Sequence, residues 1–224
     1  MAILDNTEEF YYKHLSLVQY WEGMNYPIIL EYSKNWQTMY PELNYRLFNK
    51  DLALGFIKEF YPKEVKKAFL KCKLPSMQSD LFRVCYIYKR GGLYIDCAVR
   101  PISRLPLEAW KRSTSLYLAR LESGKVWNGM IFSRRYNKAL KLILNQIVSN
   151  ILTKKDLLGR VSNNVLWVSG PANYQHLRLA ECREKNEVVL IDDAKYYERK
   201  DDLPHKQNPL HWSFKQQYEC IYNN

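Results

Sequence analysis

The sequence predicts one α/β domain with a mostly parallel central sheet flanked by helices. The chain has 224 residues, of which 47% are hydrophobic and 25% charged, and this composition is typical of a folded globular domain. Segments with the patterns of strands and helices alternate along the chain. Such alternation favours parallel strands joined by helical crossovers, so we expect helices on both faces of the sheet.

The first elements follow from short apolar runs and their boundaries. Residues 14–21 are rich in strand-forming types and predict the first strand. Residues 27–39 have helical spacing and precede Pro41, whereas 44–49 predict a second strand. Asp51 then lies in the first turn of a helix that runs to about residue 60, where a carboxylate suits the helix dipole.

A helix and a strand joined by two glycines form the centre of the sequence. We expect a helix over 77–90 with Ser76 as its N-cap and Gly91-Gly92 as its end. Residues 93–96 predict a short buried strand that follows directly. Ligands of parallel sheets bind beyond the carboxyl ends of the strands, which is where the last residue of this segment lies.

The remaining elements alternate in the same way. The patterns predict strands at 117–120, 129–133, 165–171 and 188–192, and helices at 136–151 and 172–183. No element is predicted from 195 onward, where the chain is polar and aromatic.

The charge of the chain favours an anionic partner. Thirty-four Lys and Arg residues outnumber 23 Asp and Glu residues, which gives a formal net charge of +11, and a positive field attracts nucleotide phosphates, acidic membranes or nucleic acids. The basic segments 63–73, 134–141 and 154–155 are expected to be solvated helix faces or contacts for such a partner.

The cysteines and the N-terminus predict a cytoplasmic protein. Five cysteines without a C-x-x-C pair disfavour a disulfide framework or a structural zinc site. The first residues carry acids where a signal peptide would carry positive charge. No apolar run approaches the ~20 residues of a membrane-spanning helix, so any membrane contact would be peripheral, at the inner face.

Two carboxylates and one guanidinium are predicted to meet at one edge of the sheet. Asp80 and Arg83 are three residues apart on a helix and therefore project from one face. The glycine turn folds that helix onto the strand that delivers Asp96. Carboxylates accept hydrogen bonds from hydroxyls or hold a divalent ion, and arginine pairs with phosphate. This trio suits a polyhydroxylated, phosphorylated ligand.

Several other chemistries lack their sequence signals. The four histidines show no H-x-x-x-H spacing, and the chain has no Walker loop, no G-x-G-x-x-G and no G-x-S-x-G. A zincin-type metal site, a dinucleotide fold and a serine hydrolase are therefore disfavoured.

The central segment resembles a family signature. SDLFR at 79–83 with YKRGGLYID at 88–96 is similar to the S-D-L-x-R…Y-x-x-G-G-x-Y-x-D pattern of DXD-type sugar transferases. These include the family 32 glycosyltransferases, the capsular-polysaccharide-synthesis transferases and, more distantly, the clostridial toxin glucosyltransferases. QYWEG at 19–23 and the stretch 25–51 extend the resemblance upstream, and WNGMIFSRRYNKALKLIL and VLWVSGP extend it downstream. It covers roughly residues 15–175 and implies a GT-A-type nucleotide-sugar-binding fold.

The resemblance also implies roles for individual residues. Asp96, Asp80 and Arg83 match catalytic positions, and Asp80 and Arg83 match residues that hold the hydroxyls of the donor sugar. The other donor-binding matches are the base-stacking Trp21, Tyr94 and Asp96 near the ribose and diphosphate, Asn128 in the sugar pocket, and Trp212 and Ser213 over the diphosphate. The chain would be a single domain over 1–224, with 195–224 closing over the donor site.

One departure from the family pattern concerns the metal. The second aspartate of DXD is Ala98 here, so a divalent ion, Mn²⁺ or Mg²⁺, would have Asp96 and His211 as its protein ligands. A hard ion prefers several oxygen ligands, and this set is thin. Arg100 or Arg104 could instead neutralise the leaving diphosphate.

The resemblance predicts a transferase that moves a sugar from a nucleotide-sugar donor, a UDP-sugar favoured, with retention of configuration. The acceptor would be a glycan or a lipid-linked or capsular saccharide, as in polysaccharide biosynthesis. Two alternatives remain at this point. A DNA-base glycosyltransferase would show salt-sensitive duplex binding, and an inactive nucleotide-sugar-binding module would bind a donor without turning it over.

Overall fold

The computed structural model of the chain describes residues 15–23, 27–176, 188–199, 203–207, 209 and 211–223. Its strands are β1 (Ser16–Tyr20), β2 (Asn44–Phe48), β3 (Gly92–Ile95), β4 (Val99–Pro101), β5 (Leu116–Arg120), β6 (Val126–Ser133), β7 (Val188–Asp192) and β8 (Tyr197–Arg199). Its helices are α1 (Pro27–Met39), α2 (Lys50–Phe60), α3 (Lys63–Lys71), α4 (Pro75–Arg90), α5 (Leu107–Lys111), α6 (Lys138–Thr153), α7 (Val165–Val168), α8 (Ala172–His176), α9 (Pro204–Gln207) and α10 (Trp212–Tyr218).

The central sheet has six strands in the order β2-β1-β3-β6-β5-β7. β1 pairs in parallel with β2 and β3, and β5 pairs in parallel with β7. β6 is antiparallel to both of its neighbours, β3 and β5. Five strands therefore run in one direction, which confirms the mostly parallel sheet. β4 and β8 form a separate antiparallel pair.

Helices cover both faces of the sheet. Successive residues of a strand point to opposite sides, so each face carries apolar side chains that pack against helices. In β1, Val18 packs in the core shared with α2, α3, α4 and α6, together with Ile57, Phe82 and Ile143. Leu17 points to the other face, into a cluster with Trp36 of α1. The Trp36 indole Nε1 donates to the Val99 carbonyl at 2.8 Å, which ties α1 to the start of β4.

The long helix α4 and strand β3 form the predicted unit, although its start differs. The N-cap is Leu74, with Pro75 in the first turn, so the expectation that Ser76 is the N-cap was wrong. Proline suits this position because its fixed φ fits the first turn and its missing N–H needs no partner. The predicted end is confirmed, since the Gly91 N–H donates to the Ile87 carbonyl.

The turn between α4 and β3 requires a glycine at position 92 for a steric reason. Gly92 has φ of 108°, and a Cβ there would lie 2.5 Å from the Ser16 carbonyl oxygen of β1. Only glycine lets the chain turn from α4 directly into β3 at this distance.

The segment 165–171 was wrongly predicted as a strand. It contains the short helix α7, which begins at Asn164, whose side chain accepts from the Leu166 N–H. A short apolar run cannot be assigned to a strand or a helix by periodicity alone, and here the asparagine cap favours the helix. The helix predicted over 172–183 is described as far as His176, and its remainder lies outside the described residues.

Several elements were not predicted, among them α5, β4, β8, α9 and α10. All are short, and β4 and β8 form a sheet only with each other, 98 residues apart. Among the described residues, no helix combines the length and the apolar character needed to cross a bilayer.

Candidate active site

A cleft of about 630 Å³ opens beyond the carboxyl ends of β1 and β3. Tyr20 and Trp21 at the end of β1 form part of its wall, and Asp96 follows β3. The glycine turn brings α4 back alongside this strand, so that Asp80 and Arg83 also line the cleft. The structure therefore places the predicted trio together at one edge of the sheet.

Arg83 is buried and joins the other polar groups of the cleft. Its Nη2 lies 3.2 Å from Asp80 Oδ1 and 3.3 Å from Asp96 Oδ1. Its Nη1 donates to the Asn128 carbonyl at 2.7 Å, and the guanidinium lies over the Tyr94 ring at 4.6 Å. Burial opposes its charge, but the neighbouring acids outweigh burial and hold the pKa of Arg83 above its ordinary value.

Asp80 is a buried carboxylate held from three segments of the chain. Besides Arg83, its Oδ1 accepts from Asn128 Nδ2 at 2.9 Å, and its Oδ2 accepts from the Ser169 hydroxyl at 2.9 Å. Burial raises its pKa, whereas Arg83 and the two hydrogen bonds counteract that rise. About one lone-pair position, on Oδ2, remains beside these contacts, so the carboxylate can still accept from a hydroxyl in the cleft.

Tyr94 lies beneath the cleft rather than in its lining. Its hydroxyl donates to Asp96 Oδ1 at 2.9 Å and lies 2.8 Å from the Ser79 hydroxyl. Its ring is fully buried, and the residue is not among those that line the cleft. The expectation that Tyr94 binds the donor directly is corrected: it fixes the orientation of Asp96, because a buried phenol uses its hydroxyl on a neighbouring polar group.

A glycine inside β6, Gly129, leaves room for the Asp96 side chain. The Asp96 N–H donates to the Gly129 carbonyl at 2.8 Å. A Cβ at position 129 would lie 2.4 Å from Asp96 Oδ2 and 2.0 Å from the Trp127 ring. The close approach of the carboxylate and the indole therefore depends on a residue without a side chain.

The rim of the cleft carries aromatic and basic side chains. Trp21, Trp127 and Trp212 line it, as do Arg199 of β8 and Lys206 of α9. The Arg199 guanidinium lies over the Trp127 ring at 5.3 Å. This combination of flat rings and cations suits a nucleotide, whose base stacks and whose phosphates attract positive charge.

The two arginines expected near the diphosphate are elsewhere. Arg100 pairs with Glu198 at 2.6 Å, and Arg104 pairs with Glu42. Neither lines the cleft, so the suggestion that they neutralise the leaving group was wrong.

His211 lies in the cleft lining and caps α10. Its Nδ1 accepts from the Ser213 N–H and lies 2.8 Å from the Ser213 hydroxyl. Burial, and then the charge of Lys206, lower the pKa of His211. Trp212 lines the cleft, but Ser213 does not, so the expected contact of Ser213 with the donor is corrected to support of His211.

The residues present do not fit a metal held by the protein alone. Asp96 and His211 both line the cleft, but Asp96 Oδ1 is already engaged by Tyr94 and Arg83. Ala98 stands where the family pattern has its second aspartate. Over the ranges that the structure describes, no group of three His, Cys, Asp or Glu side chains is arranged to hold an ion.

Of the predicted site residues, seven line the cleft: Trp21, Asp80, Arg83, Asp96, Asn128, His211 and Trp212. Their roles stay predictions. The sequence reasoning missed the glycine and tryptophan of β6, Ser169 and the two rim cations. The tripeptide Trp127-Asn128-Gly129 was a usable signal, because a glycine inside a strand often marks a close approach.

The comparisons with known proteins concern the family and the fold. Residues 29–116 match the family described as "Glycosyltransferase sugar-binding region containing DXD motif", which spans less than half of the chain. The structure is similar to "PaToxG Glycosyltransferase", with 13% identity, 76% of this chain and 70% of that chain covered, and a TM-score of 0.53.

It is also similar to the ligand-free glycosyltransferase domain from the YGT toxin, with 9% identity, 80% of each chain covered and a TM-score of 0.55. Among curated proteins, none matches this sequence. The structural likenesses confirm the GT-A-type fold, and the family match confirms the resemblance to DXD-type sugar transferases. Both comparisons are with glycosyltransferases, and the DXD motif of the matched family suggests divalent-metal dependence in that family in general.

Proposed function

We propose that this glycosyltransferase moves a hexose from a UDP-sugar to a saccharide acceptor, lipid-linked or capsular, with retention of configuration, in the cytoplasm. The single observation that carries the proposal is the buried Arg83 held between Asp80 and Asp96 in a cleft wall. This arrangement presents two carboxylates to sugar hydroxyls while one guanidinium offsets part of their negative charge, which lowers the cost of burying them.

The nucleotide would lie along the aromatic and basic side chains of the cleft. Trp21 follows β1 and lines the cleft together with Glu22, and the base would stack on its ring. The diphosphate would lie toward Arg199 and Lys206, which also line the cleft. Positive charge aimed at the leaving diphosphate stabilises the transition state more than the ground state.

The sugar would lie over Asp80 and Asn128. The Asn128 Nδ2 donates to Asp80. The side-chain oxygen of Asn128 can therefore accept from a hydroxyl in the cleft, which Asn128 lines. Discrimination between hexoses would then depend on which hydroxyls meet these two side chains.

The bond changes follow from the groups present. The acceptor hydroxyl oxygen forms a bond to the anomeric carbon, the bond from that carbon to the diphosphate oxygen breaks, and the hydroxyl proton passes to the departing diphosphate. Asp80 and Asp96 contact Arg83 through Oδ1, and Glu22, the third carboxylate of the lining, accepts from the Lys50 N–H; we assign none of the three as a covalent nucleophile. Retention would then come from attack on the same face as departure.

A panel of donors tests the proposal. UDP-, GDP- and CMP-sugars are added to the protein with Mn²⁺, Mg²⁺ or EDTA, and the thermal shift and slow donor hydrolysis are followed. We expect stabilisation and hydrolysis with UDP-sugars. Stabilisation by another nucleotide class alone would contradict the donor assignment, and binding without hydrolysis under every condition would favour an inactive binding module, which the alanine at position 98 makes a specific alternative.

A pair of variants tests the site. Asp96→Ala should abolish hydrolysis and transfer while the melting temperature changes little, because Asp96 is partly exposed at the cleft. Asp80→Asn should weaken binding of the UDP-sugar more than binding of UDP. Asparagine keeps the shape of the side chain but removes the negative charge that would accept from the sugar hydroxyls. Equal weakening of both ligands would show that Asp80 is structural, and near-normal activity of Asp96→Ala would refute the site.

A further inference from the structure

Large apolar side chains are exposed in two segments that follow α6 and form α10. Val161 and Tyr218 are each 85% exposed, and Leu158 is 56% exposed. Phe214 and Leu166 are exposed in the same two segments, 158–166 and 214–218. Contiguous exposed apolar surface marks an interaction site, whereas single exposed residues need no explanation.

These segments are held together by hydrogen bonds. Asn163 Nδ2 donates to the carbonyls of Gln216 and Glu219 at 2.8 Å each. The Val165 N–H donates to Gln216 Oε1 at 3.0 Å. Phe214 lies one helical turn before residue 218 in α10, so the two side chains share a face of that helix. Gln216, two residues from each of them, is the side chain that meets 163–165, so the exposed face of α10 turns away from this segment and Leu158 and Val161 form an apolar surface on the loop alone.

The loop that carries Leu158 and Val161 has a fixed shape. Asp156 is buried, and its Oδ1 accepts from the Leu158 and Arg160 N–H groups at 2.9 and 3.1 Å. Its Oδ2 accepts from Arg160 Nε at 2.9 Å. Gly159, with φ of 80°, forms the turn. A buried carboxylate thus holds two apolar side chains outward in a preformed loop.

Basic residues flank the apolar ones. Lys154 and Lys155 are exposed at the base of the loop, which closes through a bridge between positions 155 and 161. The one acid of the loop, Asp156, is already paired with Arg160 at 2.8 Å. The loop 154–161 therefore presents net positive charge around its apolar tip.

We propose that this apolar–basic surface, formed by the loop 154–161, docks on an anionic lipid bilayer. Apolar side chains enter the headgroup boundary while lysines remain at the charged surface, which is the pattern of interfacial binding. A protein partner or a second copy would meet the apolar residues equally well, but the flanking lysines favour a surface of dense negative charge.

The location of the surface gives it a consequence for transfer. Leu166 of α7 lines the cleft five residues after Val161 in the chain. Docking of the loop would therefore hold the cleft mouth near the lipid surface. The link to a lipid-linked acceptor rests on the proposed function, but docking itself does not.

Vesicle flotation tests the docking without donor or turnover. The full chain is mixed with vesicles of phosphatidylcholine alone or of phosphatidylcholine with phosphatidylglycerol, at low and high salt. We expect flotation with the anionic vesicles, a loss at high salt, and little binding to neutral ones. Absence of flotation with anionic vesicles at low salt would overturn the proposal and leave the transferase activity untouched.

Matched variants locate the contact. Leu158→Asp with Val161→Asp should lower partitioning at least about tenfold, and Lys154→Glu with Lys155→Glu should lower it by a similar factor. The control pair, Leu52→Asp with Ile102→Asp, changes residues that are 56% and 54% exposed elsewhere and should float like the unmodified chain.

Three results would contradict the assignment. Equal loss of flotation in the control pair would mean that the effect is not specific to this surface. Unchanged flotation in the loop variants would place the contact elsewhere. A lipid-free dimer in sedimentation velocity that the loop variant converts to a monomer would show that a second copy covers the surface. Far-UV circular dichroism and the melting temperature, measured in parallel, verify that each variant is folded.

Discussion

Replacing Arg83 by methionine should destabilise the protein through the charges that it leaves behind. The guanidinium donates to the Ser79 carbonyl at 3.2 Å, the Ser79 hydroxyl at 2.9 Å and the Asn128 carbonyl at 2.7 Å. It also contacts Asp80 and Asp96. Methionine fills a similar volume but compensates neither carboxylate.

The magnitude follows from the burial of the pair. Arg83 and Asp80 are both nearly inaccessible to water, and removal of one partner from a buried ion pair costs about 3–5 kcal/mol. Such a loss is large against a total unfolding free energy of about 5–15 kcal/mol. For a chain of this size it corresponds to a fall in melting temperature of roughly 6–20 °C.

A double-mutant cycle in urea separates this cause from lost packing. Asp80→Asn removes the buried charge, so Arg83→Met combined with Asp80→Asn should be more stable than the sum of the single changes predicts, by at least about 1 kcal/mol. Arg100→Met is the matched surface control: its pair with Glu198 is exposed and should contribute far less.

Two results would refute this reasoning. If Arg83→Met unfolds at the same urea concentration as Arg100→Met, the buried charges are not compensated by Arg83. If the double variant loses the full sum of the single losses, the carboxylate is not the group left unpaired. Unfolding followed by both fluorescence and circular dichroism would verify that each transition is two-state.

Gly129→Ala should lose donor-induced thermal shift and about 1–3 kcal/mol of stability, because its Cβ would collide with the Trp127 ring and Asp96; full donor binding would contradict the close contact. In titration calorimetry, Ala98→Asp should bind the nucleotide about tenfold more tightly when Mn²⁺ is present, whereas Ala98→Asn should not. No gain in affinity would show that position 98 does not reach the metal. Burial lowers the pKa of His211, so the unfolded state binds the extra proton and stability falls as pH drops below 6.5; His211→Gln should flatten that fall in urea titrations at pH 5–8, and an unchanged slope would exclude this histidine.

The sequence was sufficient for the parts of the site that are encoded locally. The helix α4, its glycine end and β3 are continuous in sequence, so spacing alone brings Asp80 and Arg83 to one face and Asp96 to the strand end. Helix periodicity and glycine stops are strong local signals. The prediction and the structure therefore agree closely for this unit.

The rim of the cleft could not be predicted in the same way. Arg199 reaches the cleft because β8 pairs with β4, and Lys206 reaches it from a four-residue helix. No periodic pattern in the sequence marks either residue, because each reaches the cleft only through the packing of a distant segment. Arg100 and Arg104 were the nearer choices in sequence, and both pair with surface acids instead.

The wrong secondary structure at 165–171 also hid a site residue. In a strand, Ser169 would alternate with its neighbours and its direction would be set by the sheet. As the C-cap of α7, it instead turns its hydroxyl to Asp80, 89 residues earlier in the chain. A buried carboxylate needs such partners because its desolvation is otherwise too costly. Buried Asp80 needs hydrogen-bond donors, and a distant hydroxyl or amide could supply one. Once 165–168 is assigned as a helix, the hydroxyl of Ser169, in the turn before Pro171, is the candidate donor.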